Sequence, residues 1–121
     1  MIMATKESVL ASIEAADRGP IDEELVEAPL LDNWRVEDWG DHLRLYGSCE
    51  GHPEIDDPFV TTSPLLRISF ENGWARSRSR WYRLGPNLEL PPPSDQVDEY
   101  FKRLESVLDV FRGQIRAGLE M

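Results

Sequence analysis

The sequence predicts an α+β fold: a small antiparallel sheet of about three to four strands, packed by a long C-terminal helix and short N-terminal helices. Three observations carry that expectation. Val97, Phe101, Leu104, Leu108, Phe111 and Ile115 recur at spacings of 4, 3, 4, 3 and 4, the period of one helix face. Two strand-like runs, Leu65–Phe70 and Trp74–Leu84, flank Glu71-Asn72-Gly73, a hairpin signal. Thr5 precedes a segment in which Val9, Leu10, Ile13 and Ala16 share a helical face.

In chain order, the first helix should start at Thr5 and stop at Gly19-Pro20. Pro20 suits the first turn of a short second helix, with Asp22, Glu23 and Glu24 at its positive end and Leu25 and Val26 as its apolar part. Pro29 ends it, and Leu30 to Gly40 reads as a polar-aromatic connector with at most a short strand at Trp34–Val36. His42–Ser48 alternates as a strand, closed by Gly51-His52-Pro53. Asp56-Asp57-Pro58 marks a turn, and Phe59–Thr62 is an edge strand or a loop because Pro64 follows. Asn72-Gly73 should supply the two positive φ angles of a tight primed turn, with Trp74–Leu84 as one continuous return strand. Pro86 and Pro91-Pro92-Pro93 make a stiff connector into Ser94, a good N-cap. The expected organisation is one domain over residues 1–121: helices in 1–28, sheet in 34–85 with the 65–84 hairpin, connector 86–93 and helix 94–118. The C-terminal stripe is expected to cover the sheet or the first helix rather than to form a coiled-coil seam.

Charge narrows the function classes. The net charge is −10, which disfavours direct binding to nucleic acid or an anionic membrane and permits docking on a basic protein surface. The charge is uneven: residues 1–63 hold 4 basic and 15 acidic residues, whereas 64–90 hold 5 arginines and 2 acids. No apolar run spans a membrane, and Lys6 and Glu7 fall where a secretory signal would be apolar. Cys49 is the single cysteine, which fits a reducing compartment, so a cytoplasmic location is expected.

Two constellations stand out. Along Trp74–Leu84, a continuous strand would project Arg76, Arg78 and Arg80 together, flanked by Trp74 and Tyr82. These arginines are either neutralised by the protein's own acids or form a binding face for a phosphate, an RNA or DNA strand, or an acidic partner. Asp22, Glu23, Glu24 and Glu27, with Asp56 and Asp57, form the candidate acidic face for a partner. Cys49 and His52, even with His42, fall short of the four ligands of a structural zinc, and no third group orients a Cys–His pair. No metal, cofactor or catalytic residue is assigned. An enzyme is the minority reading, since no phosphate-binding glycine loop, nucleophile elbow or dinucleotide fingerprint occurs.

Four segments carry a resemblance: Ala28-Pro29-Leu30-Leu31-Asp32-Asn33-Trp34, Gly51-His52-Pro53, Thr62-Ser63-Pro64-Leu65, and Gly73-Trp74-Ala75-Arg76 through Ser79-Arg80-Trp81-Tyr82-Arg83-Leu84-Gly85. Over roughly residues 28–85 the chain resembles a family of small uncharacterised alphaproteobacterial proteins, often carried on plasmids or other mobile elements. The resemblance implies an accessory role in host–element conflict, with Gly73, Trp74, Arg76, Ser79, Arg80 and Tyr82 as signature positions.

Three functional expectations follow. The first is a non-enzymatic acidic protein-binding module, in concrete form an anti-CRISPR type inhibitor whose acidic surface occupies a basic nucleic-acid site. The second is a small phosphate-, nucleotide- or ligand-binding domain using the Arg76/Arg78/Arg80 face. The third is an accessory homodimer joined through the C-terminal helix.

Overall fold

The computed structural model describes residues 5–52, 56–86 and 95–119. The fold is α+β, in the order α1 (Lys6–Arg18), α2 (Asp22–Glu27), β1 (Leu30–Asp38), β2 (Leu43–Glu50), β3 (Phe59–Thr61), β4 (Leu65–Ser69), β5 (Trp74–Ser77), β6 (Trp81–Leu84) and α3 (Asp95–Leu119). The sheet has six strands in the order β3-β2-β1-β6-β5-β4, more than the three or four expected. It is also mixed, because β1 runs parallel to β6 and antiparallel to β2.

Both additional strands have a physical explanation. Leu30 to Asp38 is a nine-residue strand rather than a connector. Its register shifts between Asp32 and Arg35, where Asn33 takes a left-handed φ of 47°, so the alternation of side chains breaks midway. Gly47 on β2 accommodates this bulge: a Cβ there would lie 2.7 Å from the Asp32 carbonyl oxygen and 3.0 Å from Trp34 Cα. The second change is in the stretch Trp74–Leu84, which folds back on itself as β5 and β6. Ser77 N–H donates to the Arg80 carbonyl at 3.0 Å, and its hydroxyl accepts from the N–H groups of Ser79 and Arg80. A serine that satisfies three backbone groups in this way favours a turn over a continued strand.

The β4–β5 connection is a loop of residues 70–73, not a two-residue primed turn. Gly73 alone takes positive φ, at 72°, and its N–H donates to Ser69 O at 2.9 Å. Thr5 caps α1, accepting from Ser8 N–H at 3.0 Å, and Gly19 ends it at φ 87°. Ile21 rather than Pro20 opens α2, and Val26 is 77% exposed, so Leu25 alone anchors that helix.

On one sheet face α3 lays Val97, Phe101, Leu104 and Leu108 over Leu31, Trp34, Leu45, Ile68, Ala75 and Tyr82. Each fully buried large side chain of this kind contributes roughly 1.5–3 kcal/mol. Phe111 and Ile115 continue the stripe onto Ile13, Ala16 and Leu66, joining α1 to α3 around the β4 edge. On the opposite face Ala15 and Leu25 pack on Trp74 and Trp81, so α1 and α2 cover β5 and β6. The proline connector beyond Pro86 and the Ser94 cap lie outside the described residues. No described helix is long and apolar enough to cross a membrane.

Candidate functional site

The fold separates the residues that a continuous strand would have aligned. Arg76 pairs with Trp81 across the β5–β6 ladder, and Ala75 pairs with Tyr82. Trp74, Arg76 and Trp81 therefore face α1 and α2, whereas Tyr82 is buried under α3. Arg78 and Arg80 sit in the turn between the strands. The Arg78 backbone is fixed there, its N–H donating to Pro64 O at 2.8 Å and its carbonyl accepting from Ser12 Oγ at 2.6 Å. Trp74, Arg76, Arg78, Arg80 and Tyr82 do not form one face.

What the turn does assemble is a corner between α2 and the hairpin. A cavity of about 260 Å³ lies there, lined chiefly by Glu24, Glu27, Ala28, Arg76, Arg80 and Trp81. The Arg76 guanidinium stacks 5.2 Å from the Trp81 ring centroid, and the two tryptophan rings meet edge to face at 5.5 Å. Trp81 is only 5% exposed. Among the described residues, Trp81 Nε1 and Arg76 Nε are buried without a hydrogen-bond partner. A buried donor left unsatisfied costs about 1–3 kcal/mol, so two side by side require an explanation. Burial pulls the Arg76 guanidinium below the usual arginine range, and the nearby Glu24 charge partly offsets it.

The acids divide by role. Glu24 accepts from Ile21 N–H at 3.0 Å and pairs with Arg18 at 3.2 Å. The Ile21 N–H first, and Arg18 second, hold its carboxyl below the ordinary range, with a smaller contribution from the Trp81 indole. Asp22, Glu23 and Glu27 are exposed and make no ion pair among the described residues. Asp57 caps its own turn, accepting from Phe59 N–H at 2.9 Å, and Asp56 is exposed beside it. These two precede β3, which two strands separate from β6 where α2 packs, so the six acids are not one patch.

No group of three or more potential metal ligands comes together among the described residues. Burial pushes the Cys49 thiol up, away from the thiolate that a nucleophile needs. Arg44 Nε donates to His42 Nε2 at 2.9 Å, which places the proton of the neutral ring on Nδ1, facing Asp41 at 2.6 Å. The sequence reading missed a further feature, on the outer face of β1–β3. Arg35 lies 4.9 Å over the Tyr46 ring, and Tyr46 stacks on Phe59, which is 53% exposed. Trp81 was missed too, because its face depends on the Ser77–Arg80 turn.

The chain belongs to a family of unknown function (DUF6634), whose model matches residues 2–91. The match takes in α1 and α2, which the resemblance over residues 28–85 left out, and it stops before α3. No curated protein and no solved structure matches the chain.

Proposed function

We propose that this chain is a non-enzymatic, acidic protein-binding module of the cytoplasm, acting as one domain that docks on a basic partner surface. The observation that carries the reading is α2, where Asp22, Glu23 and Glu27 stand exposed without counter-ions among the described residues while Glu24 is held by Arg18. Unpaired surface acids cost the fold little and steer a cationic partner toward that helix. In its most specific form the partner is the basic nucleic-acid channel of a defence complex, occupied in the manner of an anti-CRISPR. The resemblance to mobile-element-borne alphaproteobacterial proteins supports that form. The test measures displacement of target DNA from a purified CRISPR effector complex by the parent chain and by Asp22→Lys/Glu23→Lys/Glu27→Lys. The expected result is displacement by the parent that weakens about tenfold or more in the variant. No displacement by the parent overturns the defence-complex form, and equal displacement by both overturns the acidic-face reading.

A second reading, a small-ligand-binding domain, is favoured by the two unpartnered donors beside the 260 Å³ cavity. Its anchor is Arg76 with Trp81, in place of the Arg76/Arg78/Arg80 face.

A further inference from the structure

We propose that the cavity between α2 and the β5–β6 turn binds the head group of a free α-amino acid, its carboxylate on Arg76 and Trp81 and its ammonium on Glu27. The inference rests on the small-ligand reading and names the ligand class for that site. Trp81 Nε1 and Arg76 Nε both donate and both are buried, and neither has an acceptor in hydrogen-bond geometry among the described residues; the nearby Glu24 carboxylate, which both influence, is held by Arg18 and the Ile21 N–H. An indole N–H can only donate, and so can a guanidinium, so the complement is an acceptor and not another donor. A carboxylate matches this pair best, because a planar anion meets the planar guanidinium while its second oxygen accepts from the indole.

The rim sets the rest of the ligand. Glu24 already binds Arg18 and the Ile21 N–H, which leaves Glu27 as the carboxylate of the cavity wall that makes no ion pair among the described residues, with Arg80 lining the same wall. The wall sets Arg76 and Arg80 against Glu24 and Glu27, so it is close to neutral and suits a net-neutral ligand better than a phosphate dianion. A bare carboxylate would satisfy Arg76 and Trp81 but leave Glu27 unmatched. A zwitterion answers both. An ammonium and a carboxylate on one carbon occur in a free amino acid, whereas each end of a peptide carries only one of them. The cavity, about 260 Å³, falls below the ~300–1,000 Å³ of sites that enclose drug-sized ligands, which suits a head group with a short chain. Ala28, Pro29 and the Trp81 ring supply its apolar wall, so the side chain is uncharged.

The test follows the indole signals of the four tryptophans in a ¹H–¹⁵N spectrum of the full chain. The Trp81 signal is identified by its loss in Trp81→Phe, or by through-bond assignment if that variant does not fold. L-alanine, L-valine and L-leucine are titrated beside N-acetylalanine, alaninamide, acetate and inorganic phosphate. The expected result is a saturable shift of the Trp81 signal with at least one free amino acid, and at least tenfold weaker binding of its two capped analogues. Glu27→Gln, at an exposed site, should weaken the amino acid about tenfold and leave N-acetylalanine unchanged. Phosphate or N-acetylalanine binding as tightly as the amino acids would overturn the amino-acid assignment while leaving a ligand pocket. A Trp81 signal unmoved by every probe, the donors being met by water alone, would overturn both.

Discussion

Two regions of this molecule bury the same chemical groups and treat them oppositely. Where α1 and α3 meet at the β4 edge, Arg112 is 6% exposed and each arm of its guanidinium has an acceptor. Nε donates to Asp17 Oδ1 at 2.8 Å, Nη1 to the Leu66 carbonyl at 2.6 Å, and Nη2 to Asp109. The buried Trp34 indole likewise donates to Gly85 O at 2.8 Å. At the α2 corner, Arg76 Nε and Trp81 Nε1 are buried without such partners among the described residues. A fully satisfied buried arginine fixes how elements pack, whereas an unsatisfied one is costly to the fold and calls for an acceptor from outside the chain. The first region is therefore structural, and the second is the place to look for function.

The contrast can be tested from both sides. Arg112→Met strips the acceptors of their donor and should destabilise the chain by about 3 kcal/mol in urea unfolding. Gly47→Ala, which crowds the β1 bulge, should lose about 2 kcal/mol by the same measurement. Asp17→Asn should lose about 1 kcal/mol near neutral pH, since its partly exposed pairs with Arg112 and Arg116 are screened by water. The pH dependence of that loss has a definite sign. Burial raises the Asp17 carboxyl, but hydrogen bonds from Arg116 and Arg112 outweigh it and hold the group below the ordinary range. A carboxyl lowered by folding adds stability above its unfolded value of about 4, and that stability disappears as the pH falls through the folded value. The gap between parent and Asp17→Asn should thus be constant above about pH 5 and close below about pH 4. Smallest of all, Asp22→Lys/Glu23→Lys/Glu27→Lys should change stability by less than about 0.5 kcal/mol, because those side chains hold nothing in place.

The difference between the regions also explains what could be read from the residues alone. The α3 stripe from Val97 to Ile115 and the Thr5-capped α1 are local patterns, and both appear in the fold. The α2 acids and Arg76 could be singled out one by one for their charge. Their meeting could not, because it depends on long-range pairing. The bulge at Asn33 hides β1 from any period of two, and its parallel partner β6 lies some fifty residues further along. In Ser77-Arg78-Ser79-Arg80 the alternation imitates a strand, while the Ser77 hydroxyl closes a turn. That turn sends Tyr82 to the α3 side and brings Trp81 beside Arg76, which converts an expected arginine face into a cavity.

The most direct measurement is urea unfolding of Arg76→Met beside the parent, without added ligand. Methionine keeps the aliphatic stem and removes the guanidinium stacked on Trp81, a desolvated charge with no hydrogen-bond partner at Nε among the described residues. If the corner is reserved for binding, this variant is as stable as the parent or slightly more so, within about 1 kcal/mol. A loss of about 3 kcal/mol, matching Arg112→Met, would make Arg76 a structural arginine like its counterpart and contradict the account.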